Sequence, residues 1–208
     1  MNRQKGMRLY CGDGPNSYRV RIFLAEKGIE VPQIRIDFAK GDHRSEEFLK
    51  LNSLGQIPVL VLDDGTAITE SVAICRYFEE LQPSPALFGA DAVSAGKVEM
   101  WNRRAEFEIF GTIGNVALHT AELFKERLVQ FPAFADTQRE AVPAKWAWLD
   151  RELDDGRAFL AGADFSVADI TSAVAAWLGS VFGTEIPASL LNVNRWLGRV
   201  QARPSWSA

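Results

Sequence analysis

The sequence predicts two regions of different class, an α/β domain followed by an all-helical bundle. The first eighty residues alternate between strand-like and helix-like patterns, whereas nearly everything after Pro85 has helical periodicity. Apolar residues make up 47% of the 208 and charged residues 24%, with no low-complexity tract, as in a chain folded throughout. Pro83, Pro85 and Gly89 punctuate a linker, so the expected boundaries are 1–82, 83–90 and 91–208.

Taken in order, residues 7–11 read as a strand ended by the turn-forming run Gly12-Asp13-Gly14-Pro15-Asn16. Val20, Phe23, Leu24 and Lys27 mark a helix that Gly28 stops. Residues 34–38 alternate apolar and charged side chains, as a strand with one buried face must. A short helix fits 45–51, and the continuous apolar run 58–62 suits a central strand. Asp63-Asp64-Gly65 is a hairpin turn that returns 66–69 antiparallel, and a third helix covers about 71–81. The order βαβ-α-ββα is the outline of a thioredoxin-like domain.

Beyond the linker, Phe107, Phe110, Gly114, Leu118 and Ala121 recur at helical intervals. So do Val142, Trp146, Leu149 and Leu153, then Ile170, Val174, Trp177, Leu178 and Val181, then Val193, Trp196, Leu197 and Val200. Pro143 requires the second of these helices to start there or to kink, because proline lacks a backbone donor. Ser166-x-x-Asp169 ahead of an apolar run is a helix cap, with Phe165 and Ile170 placed as a staple, and losing the cap is expected to cost ~1 kcal/mol.

The formal net charge of −4 comes from 23 basic and 27 acidic side chains, and the scattered basic ones argue against nucleic acid. No apolar stretch approaches the ~20 residues of a membrane span, and residues 1–8 are too polar for a secretory signal. Two cysteines, Cys11 and Cys75, are too few for a disulfide framework or a metal cluster and fit a reducing compartment, the cytoplasm. Both read as small buried hydrophobes.

Chemistry concentrates at Gln56-Ile57-Pro58 and Glu70-Ser71. A proline at the mouth of a strand, after a residue with unpaired backbone, offers an edge on which an extended peptide can lie as an extra strand, held open by a cis bond. Where the third helix begins, backbone amides can take a carboxylate while Glu70 takes an ammonium. Glutathione presents that combination: a γ-glutamyl zwitterion and a cysteinyl peptide.

Here the chain resembles the cytosolic glutathione transferases. The resemblance rests on residues 48–60 (Phe-Leu-Lys-Leu-Asn-Ser-Leu-Gly-Gln-Ile-Pro-Val-Leu) and 68–74 (Ile-Thr-Glu-Ser-Val-Ala-Ile). It extends to 20–29 in the first helix and to 159–170 in the helical region. It implies that Ile57, ahead of Pro58, pairs its backbone with the glutathione cysteine, that Glu70 and Ser71 hold the γ-glutamyl end, and that Gln56 assists. His43 and Arg44 fall where family members bind the glycine carboxylate. Glutathione is then a co-substrate, with no metal, and the protein a homodimer engaged in detoxification.

The reaction needs the glutathione thiolate, although a free cysteine thiol has a pKa of about 8.5. Many classes in the family place a serine, tyrosine or cysteine in the turn after the first strand, but this chain has Gly14 where the serine-using classes have serine. Pro15-Asn16 resembles the Pro-Asn of the nu class, which makes the Asn16 amide the first candidate for holding the sulfur, aided by the helix N-terminus. Ser17 is the second candidate and Tyr10 the third. Gly12 and Gly14, with Phe107, Phe110 and Gly111, are the expected acceptor-site residues.

Three functions follow. The first is conjugation of glutathione to a small apolar electrophile; the second is glutathione-dependent reduction of a disulfide, suggested by the missing serine. The third is a non-catalytic glutathione-binding module, because a fold and a ligand site do not guarantee a reaction.

Overall fold

A computed structural model describes residues 6–38 and 40–208; the reading of residues 1–5 lies outside the described residues. The chain forms two compact units, residues 1–86 with 207–208, and residues 87–206.

In the first unit, β1 (Arg8–Cys11), α1 (Pro15–Lys27), β2 (Gln33–Arg35), α2 (Glu46–Leu51), β3 (Val59–Val61), β4 (Ala67–Ile68) and α3 (Ser71–Leu81) follow in the predicted order. The strands form one mixed sheet, β2-β1-β3-β4, in which β1 is parallel to β2 and antiparallel to β3. This is the thioredoxin-like arrangement that the order of elements predicts. Gly28 ends α1 in the left-handed conformation that only glycine adopts without steric cost. Ser45 caps α2 by accepting from the Phe48 N–H at 3.2 Å.

β2 ends at Arg35, not at residue 38 as the alternation predicts. The Asp37 N–H donates to the Asp42 carboxylate at 3.0 Å and the Asp42 N–H returns to Asp37 O at 3.2 Å, so the chain turns away from the ladder. Tyr10 packs edge-on against Phe48, ring centroids 6.0 Å apart, beside a cluster of Ile36, Phe48, Val59 and Val61. At the far end of α1 the fully buried Lys27 ammonium meets Glu79 at 2.5 Å and donates to Gln82 O at 2.8 Å, tying α1 to the end of α3.

The second unit holds α4 (Ala92–Arg104), a π-helical segment (Ala105–Phe110), α5 (Gly111–Thr120), α6 (Pro132–Glu152), α7 (Val167–Val181) and α8 (Leu191–Gln201). α6 starts at Pro132 rather than Pro143 and runs through the latter. Ala135, Val142, Trp146 and Leu149 are each at most 1% exposed, and burying that continuous stripe outweighs the missing donor. The stripe assigned to the helix before it also needs correction. Phe107 is 69% exposed, and the buried side consists of Ala105, Ile109, Thr112, Ile113, Val116 and Ala117. That helix has apolar residues on two faces, and periodicity alone does not say which of them packs inward. Among the described residues no helix is long and apolar enough to cross a membrane.

Candidate functional site

The register of the sheet assembles the site in the first unit. Tyr10 pairs with Val59, so the turn leaving β1 meets the segment entering β3. There Gly12 lies so close to Ile57 that a Cβ on it would stand 2.9 Å from Ile57 Cδ1. The Gly12 N–H donates to Ser17 Oγ at 3.2 Å and Gly12 O accepts from Arg21 Nη1 at 2.9 Å, so α1 holds the turn from both sides. Arg35 forks onto the exposed Asp13 carboxylate at the turn's tip, Nη1 to Oδ1 at 3.0 Å.

The candidates for thiol activation differ in access. Asn16 is half-buried, and among the described residues its carboxamide has no hydrogen-bond partner. Ser17 is 1% exposed and its hydroxyl oxygen closes the turn. Gly14 is exposed, with nothing within 4 Å of the position a Cβ would take. Cys11 is buried and donates from Sγ to Gln33 Oε1 at 3.2 Å. Burial pushes its thiol up, against weaker opposing pulls from Arg21 and Arg35, so it stays protonated at neutral pH.

The open edge at Ile57 is present. The bond before Pro58 is cis, and among the described residues neither the N–H nor the C=O of half-buried Ile57 has a hydrogen-bond partner. Gln56 next to it is exposed, and its carbonyl accepts from Asn52 Nδ2 at 2.7 Å. Asn52 Oδ1 in turn accepts from the Leu54 N–H at 3.1 Å. Asn52 was not among the predicted site residues; an asparagine just past a short helix, able to bond backbone two residues on, is the signal that marks it.

Glu70 is exposed and, among the described residues, is the one non-glycine with positive φ, 65°. Such a conformation costs of order 1–3 kcal/mol and persists where the surroundings impose it, often at ligand sites. It ends the hairpin and opens α3, whose first turn carries no side-chain cap. Ser71 is buried, and its Oγ accepts from Arg19 Nη1 at 2.9 Å. Arg19 is only 3% exposed, which sequence reasoning missed because an arginine in a surface helix ordinarily reads as solvated.

The structure separates the loop pair. His43 is 5% exposed and packs on the Phe38 ring, centroids 4.4 Å apart, whereas Arg44 is exposed. In the second unit, Phe107 and the half-buried Phe110 lie in the π-helical segment, and half-buried Gly111 closes it. A cavity of about 400 Å³ in that unit is lined by Arg104, Glu108, Lys145, Trp148 and Glu152 and contains none of the predicted residues. The Lys145–Glu108 ion pair stands in its wall.

A turn held by Ser17 and Arg21, an unpaired Ile57 backbone and an uncapped start of α3 stand on a thioredoxin-like sheet, and comparison with known proteins gives the family. Residues 5–80 match the model for the glutathione S-transferase N-terminal domain, and residues 118–204 match that for the C-terminal domain. Glutathione S-transferase 2 of Saccharomyces cerevisiae is 36% identical over 196 residues, covering 92% of this chain and 84% of the relative. The crystal structure of Gtt2 from the same yeast superposes with a TM-score of 0.89 at 35% identity, covering 96% of this chain and 98% of that one. A glutathione S-transferase domain-containing protein of Marinobacter aquaeolei VT8 does so with 0.90 at 35% identity, covering 96% and 99%. The chain belongs to the glutathione S-transferase family.

Proposed function

We propose that this chain is a glutathione transferase that lays glutathione along the Ile57 edge and directs its thiolate at a small apolar electrophile. The observation that carries the reading is the unpaired Ile57 backbone in the same unit as the uncapped start of α3, where Glu70 and Ser71 stand. Ile57 takes the cysteinyl peptide, the α3 amides and Ser71 take the γ-glutamyl carboxylate, and Glu70 takes the ammonium. Gln56 supports the γ-glutamyl end, and exposed Arg44, with His43 beneath it in the same turn, serves the glycine carboxylate.

The thiol gives its proton to solvent, sulfur bonds to the electrophilic carbon, and the leaving group departs with the bonding pair. With Gly14 offering no hydroxyl, the free Asn16 carboxamide and the N-terminus of α1 stabilise the thiolate, and the already engaged Ser17 hydroxyl ranks second. Exposed Phe107, with Phe110 and Gly111, supplies apolar acceptor contacts. Family membership supports a cytoplasmic homodimer with a detoxifying role.

Glutathione-dependent disulfide reduction is the second reading, favoured by the open space at Gly14. Steady-state turnover of chlorodinitrobenzene and of a small disulfide, each with glutathione, separates the two. Conjugation that falls in Asn16→Ala supports the first, disulfide reduction without conjugation supports the second, and absence of both leaves a binding module.

A further inference from the structure

We propose that Gly111 and Thr112 hold a π-turn that sets the acceptor selectivity of this enzyme; the proposal rests on the reading of Phe107 and Phe110 as acceptor contacts. Between α4 and α5 the helix widens over Ala105–Phe110, and the Gly111 N–H closes the segment on Glu106 O, five residues back. Such turns are rare, hold one residue more than an α-turn, and are frequent at functional sites.

Two neighbouring residues encode it. A Cβ at position 111 would stand 3.1 Å from Glu106 O, so any other side chain presses on the carbonyl that closes the turn. Thr112 Oγ1 donates to Glu108 O at 2.9 Å, giving a carbonyl within the widened segment a partner. The outer side is fixed as well: Arg103 Nη2 pairs with Glu106 at 2.7 Å, and the same guanidinium lies 5.7 Å over the Phe107 ring. Inward, Ala105 and Ile109 are 2% and 1% exposed and anchor the segment in the core.

The π-turn therefore sets the angle between Phe107 and the residues that follow it. Reverting to α-geometry removes one residue from the turn and rotates everything beyond it by about 100°. The apolar wall then keeps its composition and changes its shape, the property by which an apolar pocket discriminates among acceptors.

The test uses the full chain, glutathione, and two acceptors of unlike shape, chlorodinitrobenzene and nitrobenzyl chloride. Gly111→Ala crowds Glu106 O and favours α-geometry, and Thr112→Val removes the hydroxyl at nearly constant volume. Both are expected to shift the ratio of the two kcat/KM values by about threefold or more while the KM for glutathione is unchanged. Gly114→Ala, in the same helix with open space at its Cβ, is expected to leave the ratio alone.

A constant ratio in both Gly111→Ala and Thr112→Val, with only Tm lowered, overturns the proposal while leaving the acceptor reading intact. If Phe107→Ala and Phe110→Ala change neither rate, the acceptor reading fails and the proposal with it. If the chain reduces disulfides instead, the ratio is read with two disulfides of unlike bulk. No turnover of either class overturns both.

Discussion

The indole Nε1 of Trp196 donates to Asp169 Oδ1 at 2.8 Å, both residues being at most 1% exposed. The same carboxylate accepts from the Leu160 N–H at 2.8 Å, the Ser166 N–H at 3.0 Å and Ser166 Oγ at 2.9 Å. What reads in the sequence as a helix cap is thus a junction joining α7, α8 and the loop before α7.

Trp196→Phe keeps an aromatic six-membered ring but loses the pyrrole half of the indole and with it one donor to a buried carboxylate, a change expected to cost at least about 1.5–3 kcal/mol. Asp169→Ala strands every donor at once and is expected to cost more than about 4 kcal/mol, well above the ordinary value of a cap. Urea unfolding of the two variants checks the order; an unchanged stability in Trp196→Phe would show that the indole contributes nothing, and equal losses would show that the other donors to Asp169 add nothing to it.

Glu70→Gly is predicted to separate stability from binding. Relieving the positive φ should stabilise the fold by up to about 1 kcal/mol, whereas the KM for glutathione should rise about tenfold as the ammonium loses its partner. Thermal unfolding and steady-state kinetics on one preparation read both effects.

Asn52→Ala removes the side chain that holds Gln56 O and the Leu54 N–H. Stability should fall by about 1–3 kcal/mol and the KM for glutathione should rise, because the segment bearing Ile57 loses its support. An unchanged KM with lowered stability would confine Asn52 to a structural role.

Cys11 should resist alkylation in the native protein. Its thiol is held above the ordinary cysteine range by burial, so the folded state retains a proton that the unfolded state loses at about pH 8.5. This group's contribution to stability is therefore complete below that pH and declines as pH rises above it. Peptide mapping after iodoacetamide at pH about 8 should show slow labelling of Cys11 when folded and fast labelling in urea.

Much of this was legible locally. The span of α3 follows from helical periodicity after a hairpin turn, and the Ile57 edge and the start of α3 are marked by short runs of adjacent residues whose backbone demands are particular to them. Gly14 shows on inspection that no hydroxyl stands at that position of the first turn. The proposed acceptor residues were legible as types but not as a surface, since two apolar faces share one helix.

By itself, then, the sequence determined the fold class, the order of elements and the residues of the proposed glutathione grip, because each depends on periodicity, turn chemistry and nearest neighbours. Only the tertiary structure decided that Arg19 is buried against Ser71, that α6 runs through Pro143, that Phe107 faces outward from a π-turn, and that Asp169 serves α8 as well as its own helix. Each of these is set by a partner distant in sequence or by a competition between packing and local preference. Such outcomes follow from the burial of whole faces, which outweighs the propensity of any single residue.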